Sequence, residues 1–143
     1  MFEKIVLAVD GSPSSAAAVH TATGFAAKTG AEVEVVHVRE HDVIPSRAGS
    51  GPDLETPVEA QELLSGVVDT LREAGVTAHG TLLHSQTREV ARTIIDTADV
   101  VGADLIVVGS RGLSPLSSAL LGSVSSKLIH DAGRPVLVAH ERN

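Results

Sequence analysis

Short runs of β-branched residues alternate with stripes of helical period along the whole of this sequence, and that alternation decides what it can fold into. Residues 4–9 form the first apolar run, which ends at Asp10. Ser12 ahead of Pro13 predicts an N-cap followed by proline at the first helical position, with a helix to about Lys28 stopped by Gly30. Residues 32–38 read as the second strand. Thr56-Pro57-Val58-Glu59 matches a capping box, with Thr56 capping and Glu59 reaching back. The helix it opens carries Ala60, Leu64, Val67, Val68 and Leu71 on one face and stops at Gly75. Residues 76–83 alternate weakly as a third strand. Val90, Ala91, Ile94, Ile95 and Ala98 make the next helical stripe, stopped near Gly102. Residues 104–108, Asp-Leu-Ile-Val-Val, read as a strand whose unbroken apolar run after Asp104 fits one covered on both faces. A short helix over 124–132 ending at Gly133 and a last strand over 135–139 complete the order βαβαβαβαβ. Such an order predicts one α/β domain over residues 1–143, with a mostly parallel sheet and helices on both faces.

Composition narrows the function. Eleven Lys and Arg against eighteen Asp and Glu give a net charge of −7, and no basic run is present. Nucleic acid and anionic membrane binding begin with phosphate neutralisation, so neither is an expected partner. Phe2 and Phe25 are the only aromatic residues, which excludes base-stacking platforms and aromatic cages. The absence of Cys excludes disulfides, thiolate metal sites and Cys nucleophiles. The N-terminal Met-Phe-Glu-Lys lacks the basic region and cleavage site of a signal peptide, and no apolar stretch approaches the roughly 20 residues of a membrane span, so a cytoplasmic location is expected.

In an open parallel sheet, ligands bind beyond the C-terminal ends of the strands, where the strand order reverses. Two segments meet that description: Asp10-Gly11-Ser12 after the first run, and Gly109-Ser110-Arg111-Gly112 after the fourth. The second opens the stretch GSRGLSPLSSALLGS, residues 109–123. Gly109 and Gly112 let the backbone pass close to a ligand and take positive φ if needed. Gly122-Ser123 opens a helix, whose free N–H groups and positive dipole end suit an anion. Ser123 caps that helix or offers its hydroxyl to a phosphate, and Arg111 supplies a cation. The same residues also fit plain turns with Ser123 as a cap. The stretch is neither a Walker A loop, having no Gly-Lys-Ser/Thr, nor a dinucleotide fingerprint, since the one G-x-G, Gly49-Ser50-Gly51, runs into Pro52.

At these residues the sequence resembles the universal stress protein family. The family's nucleotide motif is G-x2-G-x9-G-[ST], matched here by Gly109, Gly112, Gly122 and Ser123. Val-Asp-Gly-Ser at 9–12, Ala-Asp-Leu-Ile-Val-Val-Gly at 103–109 and Arg-Pro-Val-Leu-Val at 134–138 match in order along the chain. The resemblance implies a Rossmann-like fold of the adenine nucleotide alpha hydrolase type with strand order 3-2-1-4-5. It implies ATP, with Mg²⁺, between strands one and four, and a homodimer paired through the last strand, Val136–Ala139. Carried over position by position, Asp10 lies by the adenosine, Ala8 is among the binding residues, and the backbone around Val38 meets the adenine edge. Val108, Gly109, Arg111, Gly112, Gly122, Ser123 and Val124 surround ribose and phosphates, with Ser125 nearby. The implied role is a nucleotide-dependent regulator of a stress response, acting on an unidentified protein partner. A slow ATPase, a binder of AMP or cyclic AMP, and a nucleotide-free dimeric module are the other readings.

The remaining candidates carry less. Asp10 either holds Mg²⁺ or ribose hydroxyls, or is a turn residue before Gly11. Lys127 is read as a surface charge. The seven His residues show no ligand spacing: His37 and His41 straddle a strand end and a loop, and no HExxH occurs. No G-x-S-x-G elbow is present, so no catalytic residue and no metal ligand is assigned. Residues 39–55, with two prolines and two glycines, read as a long loop or lid.

Overall fold

A computed structural model describes residues 2–41, 55–112 and 121–141. They form β1 (Lys4–Val9), α1 (Pro13–Thr29), β2 (Glu32–His41), α2 (Pro57–Glu73), β3 (Ala78–Gln86), α3 (Val90–Val101), β4 (Leu105–Gly109), α4 (Ser123–Asp131) and β5 (Val136–Ala139), with a single 3-10 turn, Thr87–Glu89, before α3. The strands make one parallel sheet in the order β3-β2-β1-β4-β5, as expected. The order reverses between β1 and β4.

The continuous apolar runs are explained by burial on both faces. Ile5, Leu7 and Val9 of β1 and Leu105 and Val107 of β4 pack with α1 and α2, while Val6, Ala8, Ile106 and Val108 pack with α3 and α4. Helix α1 faces the sheet with Ala18, Ala22 and Ala26, a stripe of small side chains that lets the helix lie close to the strands. Val67 is only half-buried, so the core face of α2 is Ala60, Leu64, Val68 and Leu71.

Both sequence-read caps form. Ser12 Oγ accepts from the Ser15 amide at 3.2 Å, with Pro13 opening α1. Thr56 Oγ1 accepts from the Glu59 amide at 3.1 Å, and the Thr56 amide donates to Glu59 Oε2 at 3.4 Å. Thr56→Ala is expected to cost about 1 kcal/mol, the usual worth of such a cap, measured as a shifted urea midpoint at unchanged slope.

Several strand limits differ from expectation: β3 ends at Gln86 rather than 83, and β4 and β5 each begin one residue later, at Leu105 and Val136, with β4 reaching Gly109. β2 runs three residues further, to His41, because Arg39, Glu40 and His41 pair with His84, Ser85 and Gln86. β3 starts at Ala78, since the Val76 amide donates to Leu71 O and closes the end of α2 instead. The first three residues of the expected loop over 39–55 are therefore strand; its 42–54 portion, like 113–120 of the glycine-rich stretch, lies outside the described residues.

Candidate functional site

The switch point is built by joining the end of β1 to the end of β4. After Val9 the chain turns on Asp10, whose Oδ1 accepts from the Ser12 amide at 2.9 Å, and on Gly11, at φ +83°. That turn delivers α1 directly against the segment leaving β4. Ser14 Oγ donates to Arg111 O at 2.5 Å and accepts from the Arg111 amide at 3.1 Å, while Ser12 Oγ lies 3.2 Å from the same carbonyl. The Asp10 amide donates to Ser15 Oγ at 3.1 Å. The serines at the start of α1 thus fix the Arg111 backbone and the turn beside it.

This packing revises the role of one motif glycine. A Cβ on Gly109 would lie 2.6 Å from Ser14 Oγ, 2.7 Å from Ser14 C and 2.8 Å from Ser15 N. The open side of Gly109 is filled by the start of α1, so its bareness serves helix packing. The motif glycines Gly109, Gly112 and Gly122 are not among those at positive φ.

Gly122 is placed differently. It is buried, its amide donates to Ser110 O at 2.7 Å, and a Cβ there would come within 3.3 Å of Arg111 Cα and 3.5 Å of Gly112 N. It is also the N-cap of α4, at φ −65°, ψ 160°, with no side-chain cap. Ser123, expected as a cap, is instead the first helical residue and is exposed, so its hydroxyl does not cap the helix. The first ladder bond runs from the Ser126 amide to Gly122 O, leaving the amides of Ser123, Val124 and Ser125 ahead of the ladder. Buried Ser125 Oγ sits 3.1 Å from both Ser110 O and Gly122 O, so its hydroxyl braces the turn from inside.

The other expected residues fall into two groups. Ala8, Val38, Val108 and Val124 belong to the apolar cluster on the α3/α4 face of the sheet. Asp10 follows β1, and Arg111 and Gly112 follow β4, in the two turns that meet at the switch point. A Cβ on Gly112 would lie 3.2 Å from Asp10 Oδ2, so the carboxylate stands directly over that glycine. Asp10 does act as the turn residue, yet only one of its oxygens is engaged by the turn itself.

Two features were missed from the sequence. Arg111 Nη2 lies 3.7 Å from Glu141 Oε2, beyond the end of β5. His37, to which spacing gave no role, is buried: Nδ1 lies 2.8 Å from Val9 O, to which it donates, and Nε2 meets both Glu55 oxygens at 2.8 Å, a contact that needs a proton between them. Arg39 Nη2 donates to Glu55 O at 2.8 Å, so β2 grips the residue that leads into α2. The available signal was parity: His37 follows Val33 and Val35 on the α1/α2 face of its strand. His41 and His84 approach at 3.1 Å, but among the described residues no three His, Cys, Asp or Glu side chains cluster as a metal site.

Comparison with known proteins gives consistent results. The model of the universal stress protein family matches residues 1–140. Universal stress protein YxiE of Bacillus subtilis is 34% identical over 149 aligned positions, covering 96% of this chain and 99% of that protein. A universal stress protein of Archaeoglobus fulgidus, solved in complex with dAMP, is 28% identical at a TM-score of 0.68, covering 97% of this chain and 98% of that one. Another universal stress protein, solved in complex with cAMP, is 28% identical at a TM-score of 0.72, covering 99% of each chain.

Proposed function

This chain belongs to the universal stress protein family, and on that premise we propose that it binds an adenine nucleotide, ATP with Mg²⁺, in the crevice between β1 and β4, and acts as a nucleotide-dependent regulator. The observation that carries this reading is the uncapped first turn of α4 behind Gly122. α1 and α2 each have a side-chain cap, from Ser12 and Thr56; among the described residues α3, which continues from the 3-10 turn, has none, and neither does α4, which alone of the two starts against the turn leaving β4, through the Gly122 amide on Ser110 O. A phosphate is the natural acceptor for such a turn, because the amides and the dipole act together. Ala8, Val38, Val108 and Val124 offer an apolar wall for a base. The fit to Mg²⁺ is that of a metal carried mostly by the ligand: the Asp10 carboxylate is poised over the glycine turn, and Mg²⁺ commonly takes one or two carboxylates with the rest of its shell from phosphate and water. The dAMP and cAMP complexes of related proteins support the adenine part of the proposal.

We further place a second copy of the chain along β5. Val136, Leu137 and Val138 remain half-buried on this edge strand, and Ile129 of α4 is exposed. Residence in the cytoplasm belongs to the same proposal; among the described residues no helix is long and apolar enough to cross a membrane.

Isothermal calorimetry on nucleotide-stripped protein tests the reading. ATP with Mg²⁺ is expected to bind at micromolar concentration, with AMP and cyclic AMP as comparison ligands. Absence of heat with all three, at high micromolar ligand, would overturn it.

A further inference from the structure

We propose that Glu141 is a built-in competitor for the phosphate of the bound nucleotide and sets how strongly the site favours ligands by their negative charge. The proposal rests on the nucleotide reading above. The Arg111 backbone is fixed from two directions, its carbonyl facing the Ser12 and Ser14 hydroxyls and its amide donating to Ser14 Oγ. Its side chain is not part of that framework. The guanidinium reaches sideways to Glu141, with side-chain exposures of 32% and 44%. Glu141 is delivered there by the sheet: Gly109 pairs with Ala139, and the Ser110 amide donates to Ala139 O at 2.8 Å. The chain leaving β5 is thereby held beside the turn leaving β4. Since β4 lies between β1 and β5, this pairing draws the cation toward the β5 side of β4, away from Asp10.

The distance identifies the pair as exchangeable. At 3.7 Å it is an ion pair without the short, forked hydrogen bonds that make an Arg–carboxylate contact strong. A phosphate carries more charge and can engage the guanidinium through two oxygens, so it displaces the carboxylate at modest cost. Until it does, the Glu141 carboxylate holds the guanidinium, and a ligand's negative charge has to be won against it. Backbone fixed and side chain exchangeable is the arrangement of a counter-ion that yields to the ligand.

Glu141→Gln keeps the shape and removes the charge. At low salt it is expected to tighten ATP and AMP roughly two- to fivefold, the range of an exposed ion pair, and to leave adenosine unchanged. In an Arg111→Ala background the same substitution is expected to change nothing. Equal ATP affinity in wild type and Glu141→Gln would overturn the inference alone, as would an equal gain for adenosine or a gain that survives loss of Arg111. If neither protein binds ATP, the nucleotide reading itself falls and carries this one with it.

Discussion

Gly109→Ala is expected to destabilise the domain by about 3 kcal/mol, at the upper end of what overpacking a single methyl group costs. In a domain of this size that corresponds to a fall in melting temperature of roughly 10 °C. The reason is what the new methyl would meet. Two of its three nearest atoms, Ser14 C and Ser15 N at 2.7 and 2.8 Å, are backbone of the first turn of α1 and cannot rotate away. Relief requires α1 to lift from β4, which strains the Ser12 and Ser14 contacts to Arg111. Loss of nucleotide binding should therefore accompany loss of stability and track it. A Gly109→Ala protein that melts normally yet fails to bind nucleotide would restore the view of Gly109 as a ligand-facing residue. Thermal melting followed by circular dichroism, with calorimetry on the same samples, separates the two.

What could be read from the sequence was what local chemistry determines. The Ser12-Pro13 start and the Thr56/Glu59 box were legible because a cap is decided by residues three apart. The two-faced burial of residues 105–108 was legible from an unbroken apolar run, and β1 proves to share it. Strand ends were not, since β2 stops where β3 stops pairing with it, and that depends on residues 84–86. The site divided in the same way. The motif spacing led to Gly122 and the start of α4, which lie against the turn leaving β4, but it assigned one role to glycines that have two. Nothing near Gly109 in the chain announces that Ser14 fills its open side, because that contact joins segments far apart in sequence. The partners of Arg111 and His37, Glu141 and Glu55, lie 30 and 18 positions away and were invisible for that reason.

The sharpest test of the α4 first turn is Ser123→Pro, expected to leave stability within about 1 kcal/mol of wild type while lowering nucleotide affinity roughly ten- to a hundredfold, the worth of one charge-assisted hydrogen bond. Proline removes the Ser123 N–H together with the hydroxyl. The first helical position tolerates it, since that amide lies outside the helical ladder. This chain already uses the same solution twice, with Pro13 opening α1 and Pro57 opening α2. The residue before a proline must be extended, and Gly122 already is, at ψ 160°. Ser123 is exposed, so the ring has room. Ser123→Ala is the control that removes only the hydroxyl, and any larger loss in the proline variant belongs to the amide. Unchanged affinity in a well-folded Ser123→Pro protein would mean that the ligand does not use this amide, and would shift the anion site away from the mouth of α4.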